Sequence, residues 1–162
     1  MKQRVEIDIT ARCGKAYLPT LYRDEKHRLY FAREPVLVVD LTSEGLAGLV
    51  EAVRRKIEEG NPHIEVPDLQ KAFKRKGVPP VAKAAGFKSW RSFAKKARTY
   101  GISFLEEKII VEMSGPATRG GAFLYDPKKT QEFPPDTPLE EVVRVIWEDI
   151  CSIPELWEEE AP

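Results

Sequence analysis

Val5, Ile7 and Ile9 alternate with Glu6, Asp8 and Thr10, and a period of two marks a strand with one buried face. Strand-like stretches come in groups along this chain instead of alternating one by one with helices. That grouping constrains the fold most, because a doubly wound sheet needs regular alternation. A second apolar stretch, Ala16 to Tyr22, carries Pro19, which cannot donate to a ladder, so it predicts an edge strand or a bulge. The polar connection Arg23 to Arg28 then leads into Leu29 to Ala32, and the two runs predict a hairpin. Pro35 opens the β-branched run Val36 to Leu41, which reads as a central strand buried on both sides.

Helices follow. Leu46, Leu49, Val50, Val53 and Ile57 form one apolar stripe, with Thr42 or Ser43 as cap and Gly60 as terminator. From Asp68 to Tyr100 the chain reads as short helices. Asp68 and Ser89 are candidate caps, the last helix carries Trp90, Phe93, Ala94 and Ala97, and Gly101 ends it. Strands are expected again at Lys108 to Met113 and Gly121 to Tyr125, joined by a mobile turn. Thr137-Pro138-Leu139-Glu140 has the form of a capping box, ahead of a helix with Leu139, Val142, Val143, Ile146, Trp147 and Ile150 on one face. The expectation is α+β: a mainly antiparallel sheet, two amphipathic helices and a block of short helices. It spans a single domain over 1–154, with an acidic, frayed tail at 155–162.

At 162 residues and 42% hydrophobic, the chain can bury a core without staples. Cys13 and Cys151 are far apart and form no CxxC, so a disulfide framework is not indicated. The first residues lack an apolar signal core and no run reaches the roughly 20 residues of a membrane span, so the cytoplasm is the expected compartment.

Net charge is zero, yet it is segregated. Between Leu69 and Leu105 lie ten basic residues and no acidic one; between Glu132 and Pro162 lie ten acidic residues and only Arg144 as a base. Either the two segments face each other in the fold or they are solvated faces, and either way they bear on partners. Basic residues interleave with aromatics from Gly86 to Arg98, as nucleic-acid surfaces do. Lys71, Lys74, Lys88, Arg91, Lys95 and Arg98 are the candidates for that role. The bland reading makes the rings core and the cations an outer helix face.

Catalytic signatures are sparse. His27 lies in a charged turn and His63 follows Asn61-Pro62, neither at metal-ligand spacing. Cys151 continues the last helix and reads as a buried thiol; Cys13, before Gly14, stays unplaced, and its pairing with a histidine in a small enzyme is the weakest reading. Ser114 to Gly121 is glycine-rich but lacks the phosphate-loop pattern. These residues favour a non-catalytic protein without cofactor or metal.

Four stretches carry a resemblance: Glu34 to Asp40, Gly60-Asn61-Pro62, Lys88 to Phe93, and Phe133 to Val142. Together they resemble immunity proteins of bacterial contact-dependent growth inhibition. The resemblance implies a cytoplasmic protein that binds a cognate toxin domain, in many cases a nuclease, and occludes its active site. A nuclease cleft is cationic, so an inhibitor facing it presents carboxylates. The candidates here are Glu140, Glu141, Glu148, Asp149 and Glu155, continued by Glu158, Glu159 and Glu160. The alternative is a nucleic-acid-binding protein using the basic block.

Overall fold

A computed structural model of the chain describes residues 4–73 and 77–159. Among the described residues, six strands form one sheet: β1 (Val5–Arg12), β2 (Lys15–Asp24), β3 (Leu29–Asp40), β4 (Arg98–Phe104), β5 (Ile109–Met113) and β6 (Gln131–Phe133). Their order is β3-β2-β1-β4-β5-β6, and every neighbouring pair is antiparallel. Five α-helices among the described residues accompany them: α1 (Leu41–Glu59), α2 (Leu69–Phe73), α3 (Pro80–Ala84), α4 (Trp90–Ala94) and α5 (Leu139–Cys151). The architecture is the expected single α+β domain.

Helices α1 and α5 cover one face of the sheet. Ile7, Ile9 and Ala11 of β1, Tyr100 and Ile102 of β4 and Val111 of β5 meet Leu49 and Val53 of α1 and Val142, Ile146 and Ile150 of α5 in the main core. The opposite face is covered at one end only. There Tyr17 packs with Val81 and Ala82 of α3, Phe87, Phe93 of α4 and Ala97.

Cys13 and Gly14, both with positive φ, form the two-residue connection of the β1–β2 hairpin. Asp40 caps α1 by accepting from the Thr42 N–H, while Glu44 accepts from the Asp40 N–H. Asp40 thus does the work expected of Thr42 or Ser43. Gly45 interrupts α1 at φ 58°, ψ −152°. The Gly60 N–H closes the helix on the Lys56 carbonyl. Lys56 itself is buried, and its Nζ donates to Thr20 Oγ1 at 3.0 Å and to the Pro35 carbonyl at 3.3 Å, locking α1 onto the bulge between β2 and β3.

Several expectations need correction. Val36 to Asp40 belongs to the outermost strand, with Val38 43% exposed, and Leu41 already opens α1. At the sheet edge, the missing N–H of Pro35 is tolerated. β2 lies between two strands, so Pro19 marks the bulge and not an edge. The last short helix stops at Ala94, and Gly101 sits inside β4. Tyr100 and Ile102 face the core while Thr99, Gly101 and Ser103 face away, a period of two overshadowed by the helix-forming residues before it. Gly121 to Tyr125 is no strand; only Tyr125 bridges to Ser114, and β6 supplies the sixth strand. The capping box does not form. Thr137 Oγ1 donates to the Pro134 carbonyl at 2.7 Å, and Pro138 occupies the cap position. Cys151 is exposed, on the outer side of α5. Residues 154–157 form a 3-10 turn whose Leu156 is 1% exposed and whose Trp157 packs edge-on to Trp147; Glu160 to Pro162 lie outside the described residues.

Candidate functional site

The partly covered face of the sheet carries the polar half of the alternation. Glu6, Asp8, Thr10 and Arg12 project from β1, Thr99, Gly101 and Ser103 from β4, and Glu112 from β5. Arg12 turns under the helices: its Nη1 donates to the carbonyls of Ser92, at 2.9 Å, and Phe93, and its guanidinium stacks 4.4 Å from the Phe87 ring centre. That end is closed and structural.

Next to it lies an open groove of about 490 Å³. Asp8, Thr10 and Thr99 form its floor; Pro80, Val81, Trp90, Phe123 and Tyr125 contribute walls. Trp90 is held from both sides. Its Nε1 donates to the Gly121 carbonyl at 2.7 Å, and its ring meets Phe93 at 5.5 Å and Phe123 edge-on at 6.0 Å. The Gly121 φ of 86° brings that carbonyl round, and a side chain at Gly121 would press on the indole at 3.1 Å. The turn expected to be mobile is closed by backbone bonds between Thr118, Gly121 and Ala122.

One row crosses the floor. Asp8 pairs in register with Gly101, and Gly101 with Glu112. Two carboxylates therefore stand two strand spacings apart, about 10 Å, with only a glycine between them in the row. The Tyr125 ring fills part of the gap: a Cβ on Gly101 would lie 2.8 Å from its hydroxyl. Glu6 is neutralised by Arg4 and accepts from Ser103 Oγ at 2.6 Å. Asp8 and Glu112, among the described residues, have neither a hydrogen-bond donor nor an ion-pair partner. Burial, then Glu6 and Glu112, push the Asp8 carboxyl up to about 6. Burial and the same three carboxylates raise the Tyr125 phenol.

The sequence candidates are scattered around this groove. Glu140, Glu141 and Glu148 are exposed on α5, on the far side of the sheet. Asp149 is engaged internally, accepting from the Tyr100 hydroxyl at 2.7 Å and Lys129 Nζ at 3.0 Å. Glu155 lies 3.9 Å from Arg98, and Lys96 lies 3.3 Å from Glu158, so the acidic and basic segments do pair in part. Arg98 is buried in β4, which removes it from a basic helix face. Lys74 lies outside the described residues; Lys71 is exposed on α2. Lys88, Arg91 and Lys95 are exposed around α4, and Arg91 and Lys95 share a shallow cleft of about 540 Å³ with Arg119 of the glycine-rich turn. His27 bonds Asp24 at 2.6 Å. No three side chains among the described residues form a metal-binding group, and no described helix is long and apolar enough to cross a membrane.

Sequence reading missed the groove, because alternation does not say which face the helices leave open. Its one local signal was Asp8 within an otherwise ordinary strand pattern.

No family model matches the chain, and no curated protein matches it. Solved structures do. A protein of unknown function from Neisseria meningitidis, 13% identical, superposes with a TM-score of 0.65 over 90% of this chain and 93% of that one. A chain of the CdiA-CT/CdiI toxin and immunity complex from Yersinia pseudotuberculosis, 9% identical, gives a TM-score of 0.60 over 89% of this chain and 94% of that one. At such identities the likeness is one of fold.

Proposed function

We propose that this protein is a non-catalytic inhibitor that binds a cognate toxin domain, a nuclease, in the cytoplasm and covers its active site. The observation that carries this reading is the near-complete overlap of its fold with a chain of a toxin and immunity complex. The groove adds support, since an unmatched carboxylate between aromatic walls suits a cationic protein surface better than a phosphate backbone. Glu140, Glu141 and Glu148 on α5 contribute negative potential that steers such a partner. Asp149 and Glu155 serve mainly to fasten α5 and the turn after it.

The second reading, nucleic-acid binding, draws on the cleft of Arg91, Lys95 and Arg119. One experiment separates the two. The purified protein is offered the C-terminal domain of the effector encoded beside its gene, and in parallel RNA and DNA at about 0.15 M salt. Stoichiometric capture of the effector domain, with its nuclease activity suppressed, is the expected result. A salt-sensitive gel shift without capture would transfer the function to the cationic cleft.

A further inference from the structure

We infer that the groove over β1 and β4 is a receptor for one arginine side chain of the bound protein, its guanidinium meeting Asp8 on the floor between the rings of Trp90, Phe123 and Tyr125. The inference rests on the neutralising reading and names the chemistry of the contact.

Three observations support it. First, the groove has one carboxylate on its floor. Asp8 lines it beside Thr10 and Thr99, while the Tyr125 hydroxyl takes the place over Gly101 that a side chain would fill. Second, the charge there is unmatched. Arg4 answers Glu6, but no cation faces Asp8 or Glu112 from β1, β4, β5 or the turn carrying Tyr125, among the described residues. A bound cation would relieve the repulsion of three neighbouring carboxylates. Third, the walls are aromatic. Trp90 is fixed by its bond to Gly121, Phe123 stands edge-on to it, and Tyr125 lies over Gly101 with an oxygen available as acceptor. A planar guanidinium stacks on such rings and bonds carboxylates at once, whereas an ammonium is a strongly hydrated point charge. Aromatic walls with one carboxylate on the floor are therefore selective for arginine.

The three tryptophans make the test internal. Trp90 lines the groove, while Trp147 and Trp157 pack together with the core on the other face of the sheet. The full chain, labelled with nitrogen-15, is titrated with the blocked tripeptide Gly-Arg-Gly, with its citrulline counterpart and with Gly-Lys-Gly. The expected result is a saturable shift of the Trp90 indole resonance alone, with the arginine peptide binding in the millimolar range and at least fivefold more tightly than the lysine peptide. Citrulline should give no shift, and D8N should weaken the arginine peptide at least fivefold. E112Q, which leaves Asp8 in place, should weaken it less. Equal responses to arginine and citrulline, equal motion of all three indoles, or unchanged binding in D8N would overturn the inference; equal binding of lysine would overturn the choice of arginine. The same variants are then offered to the effector domain. Capture that is equally tight with wild type and D8N would remove the groove from the interface and leave the inhibitor reading standing. No capture by wild type would count against that reading, while the peptide titration would still decide the groove.

Discussion

At the scale of single residues, this protein keeps an unfavourable carboxylate on its surface. Asp8 is partly buried, faces Glu6 and Glu112, and has no donor. Its carboxyl is pushed from 3.8 to about 6, so between those values the folded chain holds a proton that the unfolded chain has released. Stability contributed by this group is complete below about pH 4 and is lost as pH rises to about 6. Asp8→Asn should therefore raise stability at pH 7 by about 2 kcal/mol, allowing for partial exposure, and by almost nothing at pH 4. Urea denaturation at the two pH values checks this; equal gains at both would mean that the carboxylate is not strained. Arg12 is the opposite case, a buried charge held by two backbone carbonyls and an aromatic ring although its Nε has no acceptor among the described residues. Arg12→Met should cost about 2 to 4 kcal/mol, because the carbonyls of Ser92 and Phe93 lose their donor and Phe87 its cation. A midpoint in denaturant within error of wild type would refute that. In the sequence these two residues are alike, both polar positions of one alternating strand. What divides them is which end of the sheet α3 and α4 cover, a long-range fact without a local signature.

At the scale of elements, period and punctuation carried most of the architecture. The β1 alternation, the stripe of α1, the caps Asp68 and Ser89, and the face of α5 are all present as read. The misreadings share a cause: a local signal was answered by a different partner. The helix-forming run into Ala97 hid β4, although Tyr100, Ile102 and Phe104 alternate with Thr99, Gly101 and Ser103. Thr137 bonds backward to Pro134 instead of forward into α5. Val36 to Leu41 has the composition of a central strand, but its strand part, Val36 to Asp40, closes the sheet edge, because sheet order is set by nonlocal pairing that composition does not encode. Gly45 shows how an element can depend on one atom too few. Helix α1 passes through φ 58°, ψ −152° there, a region open essentially to glycine alone. Although nothing lies within 4 Å of an added Cβ, Gly45→Ala should destabilise the fold by about 1 to 3 kcal/mol. Thermal or chemical denaturation measures it, and a stabilised variant would mean that the first turn of α1 joins the rest as one straight helix.

At the scale of the whole molecule, the segregated charge of the chain is only partly settled by folding. Lys96 meets Glu158 near the surface, and the buried Arg98 reaches the exposed Glu155 only at 3.9 Å, so both contacts contribute little. What remains is arranged in space. The groove and the cationic cleft of Arg91, Lys95 and Arg119 lie together on one side of the sheet, with Glu140, Glu141 and Glu148 on the other. A partner seated in the groove therefore does not touch the exposed carboxylates of α5, and the two acidic features must act at different stages of binding. Charges that act through solvent change the rate of encounter and are screened by salt, whereas a desolvated pair in a pocket changes the rate of escape. The triple variant E140K/E141K/E148K should accordingly slow association with the effector domain at low ionic strength, by up to about tenfold, and match wild type near 0.5 M salt with dissociation unaltered. Asp8→Asn should leave association within about threefold and speed dissociation at every salt concentration. Stopped-flow association and surface-bound dissociation measure the two separately. If the α5 variant instead dissociates faster at high salt, that helix is in direct contact with the partner, and the interface lies on the face of the sheet away from the groove.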